Sequence, residues 1–241
     1  MQKYDLLIIG AGTAGLSAAK EASKHTNNFA IIENGPIGTL CARVGCMPSK
    51  ALIKAASVYD QSTKLDKFGI KGGASIFPDI PEILQNVRNL RDNFVNSVRE
   101  SMNNYNVINA KATFVEPNII DIGNKKIQAD KIIICTGSKT YIPNEFRAYE
   151  ADIITTDSLF EQKDLPKNMA VIGLGNIGAE TGQALARLGI SIKAFGRSNI
   201  IAGITDEEIN KTAQEILKED LSLHLNSSIE NIEKLIEILY S

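Results

Sequence analysis

The sequence predicts an α/β protein made of two similar three-layer units, with a small antiparallel meander inserted between them. Two short apolar runs, residues 4–9 and 169–173, are each followed by a glycine-rich turn, a helical stretch and a second apolar strand. Short apolar runs bounded by glycine are typical of buried parallel strands, and a strand, a helix and a strand in this order form a βαβ unit. The repetition predicts two units of one design.

Helices and strands of the first unit follow from apolar spacing. Residues 4–9 and 29–33 are the two predicted strands, and the segment between them forms a turn and a helix. Residues 47–60 are predicted to be helical, with Pro48 near the start, where its missing N–H costs little. Residues 81–104 carry apolar side chains at steps of three and four, which indicates an amphipathic helix.

The middle of the chain changes its pattern. Residues 106–134 alternate apolar and polar side chains and are interrupted by Pro-Asn and Gly-Asn pairs. This pattern predicts an antiparallel meander that ends in a buried strand at 131–135. Residues 140–168 are loop-rich, so we expect two domains, 1–150 and 151–241. The second domain has a predicted strand at 169–173, a helix at 176–188 and a strand at 190–195.

Both predicted strand-to-helix turns carry the pattern Gly-x-Gly-x-x-Gly. The first glycine makes the tight turn, the second lets the backbone approach a pyrophosphate, and the third lets the helix pack on the strand. The helix N-terminus then offers unpaired N–H groups to the phosphates. We therefore predict two Rossmann-like nucleotide-binding units. The glycines are Gly10, Gly12 and Gly15 in the first turn and Gly173, Gly175 and Gly178 in the second.

The residues that end the second strand differ between the units. Glu33 lies 18 residues after Gly15, where a carboxylate accepts hydrogen bonds from ribose hydroxyls; the alternative is a solvated charge at a strand end. In the second unit, Gly196 and Arg197 stand near the equivalent point. An arginine there could hold a 2′-phosphate and favour NADP over NAD, although a surface arginine without a ligand fits the sequence nearly as well.

Charge and composition exclude several function classes. The 241 residues carry a net charge of −2, so there is no basic surplus to neutralise many phosphates of a nucleic acid. No run approaches the roughly 20 apolar residues that span a bilayer, and no signal peptide opens the chain. We therefore expect no nucleic-acid partner, no membrane segment and a cytoplasmic location. The two histidines, His25 and His224, show no metal-ligand spacing with the cysteines, so no metal site is predicted.

Two of the three cysteines, Cys41 and Cys46, lie five residues apart. Their segment follows the strand of Glu33 directly and starts a predicted helix, and a helix N-terminus stabilises a thiolate. A close pair in a reducing compartment indicates redox chemistry more than a structural disulfide. The alternative is a pair of inert core thiols, which is the interpretation that we adopt for Cys135.

Five motifs together resemble the class I pyridine nucleotide–disulfide oxidoreductases, the family of dihydrolipoamide dehydrogenase, glutathione reductase and mercuric reductase. The resemblance covers residues 3 to about 230 and is strongest to the dihydrolipoamide dehydrogenase type. The motifs are GAGTAG at 10–15, Glu33, CARVGCMPSK at 41–50, CTGS at 135–138 and GLGNIGAE at 173–180.

The resemblance implies FAD in the first unit and NAD or NADP in the second. It implies that electrons pass between NAD(P)H, FAD and a Cys41–Cys46 redox disulfide, as in a dihydrolipoyl dehydrogenase. Cys41 would exchange with a lipoamide-type disulfide or dithiol substrate, and Cys46 would face the flavin. Further implied positions are Lys50 beside the flavin ring, Ala112 at the adenine, Thr136, Gly137 and Ser138 in the turn over FAD, and Glu180 at the nicotinamide site.

Three departures from the family pattern bear on function. Leu40 stands where the family usually has threonine, and Gly196 replaces the acid of NAD-specific members. Family members are also much longer, and this chain lacks the second half of the FAD domain and the dimerisation domain. In the family, which forms homodimers, that domain supplies the histidine that acts as the acid–base catalyst. The alternative function is therefore a truncated, inactive nucleotide-binding fragment. Residues 229–239 have the apolar spacing of a helix, where the family continues with strands.

Overall fold

The structure of the chain, a computed structural model, describes residues 1–227 and 229. These residues form two compact units. The first unit comprises residues 1–49, 86–141 and 154–161, and the second comprises residues 50–85, 142–153 and the described part of 162–241. The predicted division at residue 150 stays a prediction. Apart from residue 229, the helix predicted at 229–239 lies outside the described residues.

The first unit is built on a six-stranded sheet. Its strands are β1 (Gln2–Ile9), β2 (Phe29–Glu33), β3 (Val107–Asn109), β4 (Thr113–Glu116), β5 (Ile119–Asp121) and β6 (Lys126–Ile134). They lie in the order β3-β2-β1-β6-β5-β4. The first four strands of this order are parallel, and β5 and β4 are antiparallel additions to β6. The predicted α/β fold is confirmed.

Five helices accompany this part of the chain. They are α1 (Thr13–Ala22), α2 (Leu40–Arg43), α3 (Cys46–Ser62), α4 (Ile80–Met102) and α5 (Thr156–Leu159). The predicted helices at 47–60 and 81–104 are α3 and α4, each found within two residues of its predicted bounds. Short 3-10 turns occur at Leu65–Phe68, Gly73–Ser75 and Asn144–Asp152.

Both faces of β1 and β2 are covered, which explains their nearly continuous apolar sequence. One face packs against α1 and α4, and the opposite face packs against residues of the antiparallel additions. The first cluster contains Ile8, Ala19, Ala22, Phe29, Ile31 and Met102. The second contains Leu7, Ile9, Ala30, Ile32, Ile120, Ile122 and Ile127. Neighbouring residues of β1 therefore point to opposite layers, as the period of a strand requires.

Two details of the predicted meander are wrong. β3 is not a meander strand, because it lies parallel to β2, with Val107 opposite Ile31. The strand predicted to be buried at 131–135 is the end of β6, yet Ile134 is 64% exposed. The physical reason is that β5 pairs only with residues 126–128 of β6. Among the described residues, no strand lies beside the outer edge of residues 131–134.

The second unit repeats the parallel design on a smaller scale. Its strands are β7 (Asn168–Ile172), β8 (Ser191–Phe195) and β9 (Ser222–His224), all parallel and in that order, with helices α6 (Asn176–Arg187) and α7 (Glu207–Asp220). The predicted strands at 169–173 and 190–195 are β7 and β8, and the predicted helix at 176–188 is α6; the bounds of α7 and β9 were not predicted. The signal for α7 is the N-cap Asp206, whose carboxylate accepts the N–H of Ile209 at 3.0 Å.

Within the part of the chain that the structure describes, no helix is both long and apolar enough to cross a membrane.

A close approach at Gly15 holds α1 against the first turn. A Cβ at Gly15 would fall within van der Waals contact of the carbonyl oxygen of Gly10, whereas a Cβ at Gly12 would meet no atom within 4 Å. We expect Gly15→Ala to lower the free energy of unfolding by about 2–3 kcal/mol, because the helix must move away from the turn. Gly12→Ala is the matched control.

Urea unfolding followed by circular dichroism measures this difference. The control should shift the free energy of unfolding by less than about 0.5 kcal/mol, as for a substitution into open space. Equal losses in both variants would contradict the role assigned to the close approach.

Candidate functional site

The carboxyl ends of four parallel strands meet at one edge of the first sheet. β1 lies between β2 and β6, so the order of the strands reverses at this point. In open α/β sheets, ligands bind in the crevice outside the carboxyl ends of the strands where the order reverses. The loop after β1 carries the first glycine pattern, and it therefore lies where the fold places a ligand.

The first glycine turn is shaped to receive a pyrophosphate. Gly10 has a φ of +106°, and a Cβ there would overlap the carbonyl oxygen of Cys135. Gly12 is the N-cap residue of α1, and nothing lies within 4 Å of the position of its missing Cβ. Gly15 packs onto Gly10. The turn is closed towards the protein and open at Gly12, so it fits a dinucleotide such as FAD at the helix N-terminus.

Glu33, at the end of β2, is tied to the same turn. Its Oε2 accepts the N–H of Ala11 at 2.6 Å, and its Oε1 accepts the N–H groups of Asn34 at 2.9 Å and Gly35 at 2.7 Å. The carboxylate is thus fixed beside the glycine turn by backbone donors. Its reading of a ribose stays a prediction.

The other residues predicted to contact FAD follow β3 and β6. The N–H of Ala110 donates to the carbonyl of Glu33 at 3.0 Å, and Ala112, two residues later, is half-buried against the sheet core. The N–H of Cys135 donates to the carbonyl of Ile9 at 2.7 Å. The exposed turn of Thr136, Gly137 and Ser138 begins directly after it. Each of these segments starts at the edge that carries the glycine turn.

The cysteine pair lies where two helices meet. Cys41 is in α2 and Cys46 is the first residue of α3, and the two thiols are close enough for Cys46 to raise the pKa of Cys41. Gly45 makes this possible, because a Cβ there would lie 3.0 Å from the carbonyl oxygen of Leu40. Both thiols are free; Cys46 is exposed and Cys41 half-buried.

Thr39 is a site residue that the sequence analysis missed. It is buried, and its hydroxyl accepts the N–H of Ala42 at 3.1 Å as the N-cap of α2. The side chain of Leu40, the departure from the family pattern, is 47% exposed. A threonine immediately before the short apolar run at 40–42 is the cap signal that could have identified Thr39.

The pKa of Cys41 is raised above the ordinary value of a thiol. The hydrogen bond with Cys46 raises it most, partial burial and the charge of Cys46 raise it further, and the backbone N–H groups of Cys46 and Met47 lower it. The expectation that the helix N-terminus would favour a thiolate is therefore wrong for Cys41. The backbone donors act as expected, but the adjacent sulfur and burial outweigh them.

Neither histidine contacts this pair. His25 lies 3.3 Å from the carboxylate of Glu21, and His224 stacks on Phe195 in the second unit with ring centroids 4.9 Å apart. The residues that the structure describes contain no base bonded to Cys41. They also hold no group of three or more His, Cys, Asp or Glu side chains that could bind a metal ion.

The glycine turn of the second unit has the same shape as the first. Gly173 has a φ of +97°, Gly178 packs against its carbonyl oxygen, and Gly175 is the N-cap of α6 with open space at its missing Cβ. This turn also fits a dinucleotide. Also in the second unit, Nζ of Lys50 and Oε2 of Glu180 form an ion pair at 2.7 Å. Both are at least 48% exposed, so the pair adds little to stability.

Removal of Cys46 tests the origin of the raised pKa of Cys41. In a Cys135→Ala background, we expect Cys46→Ala to move the alkylation of Cys41 to lower pH, because the main contributions that raise the pKa are lost while backbone donors remain. The measurement is the rate of iodoacetamide labelling of Cys41 against pH, with peptides resolved by mass spectrometry. The same background with Cys46 intact is the reference. An unchanged or higher midpoint would contradict the assignment.

Comparison with known proteins gives a consistent result. A family model described as pyridine nucleotide-disulphide oxidoreductase matches residues 4–238. Mercuric reductase of Lysinibacillus sphaericus is 29% identical over 98% of this chain and 44% of its own length. The mitochondrial dihydrolipoyl dehydrogenase of Dictyostelium discoideum is 31% identical over 97% of this chain and 50% of its own length.

A solved structure supports the fold. The Cu(II) complex of the HOCl-induced flavoprotein disulfide reductase RclA from Escherichia coli superposes with a TM-score of 0.81, over 96% of this chain and 51% of that chain, at 22% identity. The chain spans about half the length of the curated relatives that it matches. Because the family model covers nearly the whole sequence, the chain belongs to the pyridine nucleotide-disulphide oxidoreductase family, whose members use FAD and NAD(P)H.

Proposed function

We propose that the chain is the electron-transferring part of an FAD-dependent disulfide oxidoreductase of the dihydrolipoyl dehydrogenase type. The observation that carries the proposal is the contact between the thiols of Cys41 and Cys46 in the unit that has the open glycine turn. Family membership supplies the cofactors, and the thiol pair supplies the reaction class. A lipoamide-type disulfide or dithiol is the proposed substrate.

The residues of the chain have separate parts in this mechanism. Gly12 and the N-terminus of α1 would hold the FAD pyrophosphate, and Glu33 would meet the ribose. In the second unit, Gly175 and the N-terminus of α6 would hold NAD(P)H, and Glu180, which is ion-paired with Lys50, would lie at the nicotinamide site. When bound, the flavin supplies two electrons taken as hydride from the nicotinamide.

The thiol chemistry balances within the pair. Once deprotonated, Cys41 attacks one sulfur of the substrate disulfide, so a mixed disulfide forms and one substrate thiolate leaves. Cys46 then loses its proton to solvent and attacks the Cys41 sulfur, which releases the second substrate thiolate and forms the Cys41–Cys46 disulfide. Two electrons reach the substrate, and two protons from solvent complete its thiols. Because the pKa of Cys41 is raised, the first attack requires a base.

Reduction of a soft metal ion is a second candidate. Two free thiols in contact are suitable ligands for such an ion, and one relative is named mercuric reductase. A third candidate is an inactive nucleotide-binding fragment. It is favoured by the absence of a base at Cys41 among the described residues and by the open outer edge of β6.

Substitution of Cys46 separates these candidates. We expect Cys46→Ser to abolish NAD(P)H-dependent reduction of lipoamide, because the second thiol exchange is lost. Ferricyanide reduction, which needs no thiol, should persist within about twofold, since only an interaction used in disulfide turnover is removed. Both rates are measured on the full chain after incubation with FAD, with Cys135→Ala as the control.

The outcomes are distinct. Turnover of Hg(II) or Cu(II) without lipoamide turnover would favour the metal-ion candidate. Absence of all three activities in a protein that binds both nucleotides would favour the inactive fragment. Lipoamide turnover that survives Cys46→Ser would overturn the proposed thiol mechanism.

Flavin retention should depend on the open space at Gly12. We expect Gly12→Val to weaken FAD binding at least about tenfold, because its side chain occupies the place where a pyrophosphate approaches the backbone. The measurement is the quenching of FAD fluorescence on titration with protein. Gly175→Val is the matched control, because Gly175 has the same open space in the glycine turn of the second unit and is not proposed to bind FAD. Equal affinity in the Gly12 variant and the unchanged protein would place FAD elsewhere.

A further inference from the structure

The loop that follows β8 is bound to the second glycine turn. The N–H of Gly196 donates to the carbonyl of His224 at 2.9 Å, which continues the sheet by one residue. At the far end of the loop, the N–H of Ala202 donates to the carbonyl of Leu174, inside the glycine turn, at 2.8 Å. The loop and the turn therefore form one hydrogen-bonded rim at the carboxyl ends of β7 and β8.

Helix α7 fixes the middle of this loop through two side chains. Asn210 is only 6% exposed. Its Oδ1 accepts the N–H of Ile201 at 3.0 Å, and its Nδ2 donates to the carbonyl of Asn199 at 2.8 Å. Gln214, one turn further along α7, also donates to the carbonyl of Asn199, at 2.8 Å. A buried amide that satisfies both a donor and an acceptor of the loop leaves it little freedom to change shape.

The loop offers a cation and leaves little space for a carboxylate at the strand end. A Cβ at Gly196 would lie 3.2 Å from side-chain atoms of both Leu174 and Leu225, so an acidic residue there would have to displace them. Arg197 is exposed, and no carboxylate of the described residues forms an ion pair with it. A guanidinium presents a fork of donors that matches the oxygens of a phosphate monoester.

We propose that Asn210, assisted by Gln214, is the positioning residue of the second nucleotide site, and that it holds the Arg197 loop in the shape that binds a 2′-phosphorylated adenosine. The proposal rests on the proposed binding of NAD(P)H by this unit. Asn210 touches the loop backbone and acts through Arg197. A loop that is already ordered loses less entropy when the phosphate binds, so the side-chain bonds from α7 contribute to affinity for that group specifically.

Two half-site ligands test this proposal on the full chain. Calorimetric titration with each ligand gives the dissociation constant of 5′-AMP divided by that of 2′,5′-ADP, and this ratio isolates the contribution of the 2′-phosphate. We expect Asn210→Leu to weaken 2′,5′-ADP about fivefold to tenfold and 5′-AMP less than about twofold, since two loop hydrogen bonds are lost. Gln214→Leu should shift the ratio in the same direction by a smaller factor.

A matched control separates positioning from stability. Gln183 bonds Asp220 at 2.8 Å at the other end of α7 and does not touch the loop. Gln183→Leu should destabilise the α6–α7 pair and leave the ratio unchanged. A loss of folded protein lowers the amount of binding sites for both ligands and does not move the ratio. Gln214→Leu keeps the proposal testable if Asn210→Leu does not fold, because Gln214 is not buried.

The measured ratios either support or overturn the positioning role of Asn210. A ratio that falls in the Asn210 and Gln214 variants and holds in the Gln183 variant supports the proposal. If the ratio is the same in Asn210→Leu, in Gln214→Leu and in the protein without substitutions, the positioning role is overturned and the proposed function stands. The same conclusion follows if the protein without substitutions binds both ligands equally. An unchanged protein that binds neither ligand overturns both the positioning role and the proposed nicotinamide site.

Discussion

In each unit, close packing of one glycine on another holds a helix N-terminus against the turn that precedes it. Because Gly15 has no side chain, α1 packs directly on the carbonyl of Gly10, and Gly178 repeats this on Gly173. The helix N-termini are thereby brought up to the turns with their N–H groups directed outward. The carboxylate of Glu33, the turn after β6 and the loop after β8 are all fixed relative to these turns by backbone hydrogen bonds.

A second constraint acts on the cysteines. Gly45 allows the chain to fold back tightly enough for the Cys41 and Cys46 side chains to meet, and the meeting itself changes their chemistry. The backbone donors at the start of α3 favour a negative charge, but two sulfurs in contact cannot both carry one easily. The neighbouring sulfur raises the pKa of the Cys41 thiol, so this sulfur needs a base before it can begin a thiol exchange.

Much of the fold was predictable because its signals are local. The runs that became β1, β2, β7 and β8 are apolar and bounded by glycine or polar residues, and both glycine patterns sit between a strand and a helix. Long-range pairing was not predictable. β3 pairs with β2, which lies more than 70 residues earlier in the sequence, and the exposure of Ile134 depends on which strand lies beside β6. The pKa of Cys41 and the role of Asn210 depend on contacts between segments, which spacing along one chain does not reveal.

The outer edge of β6, which pairs with no strand of the described residues at 131–134, has a practical consequence. Its backbone donors and acceptors lie next to exposed isoleucines, and an edge of this kind can pair with a strand of another molecule. Collisions between identical molecules supply such strands in proportion to protein concentration. We therefore expect the chain to stay monomeric in dilute solution or with a solubilising additive, and to associate through this edge at the higher concentrations that calorimetry uses.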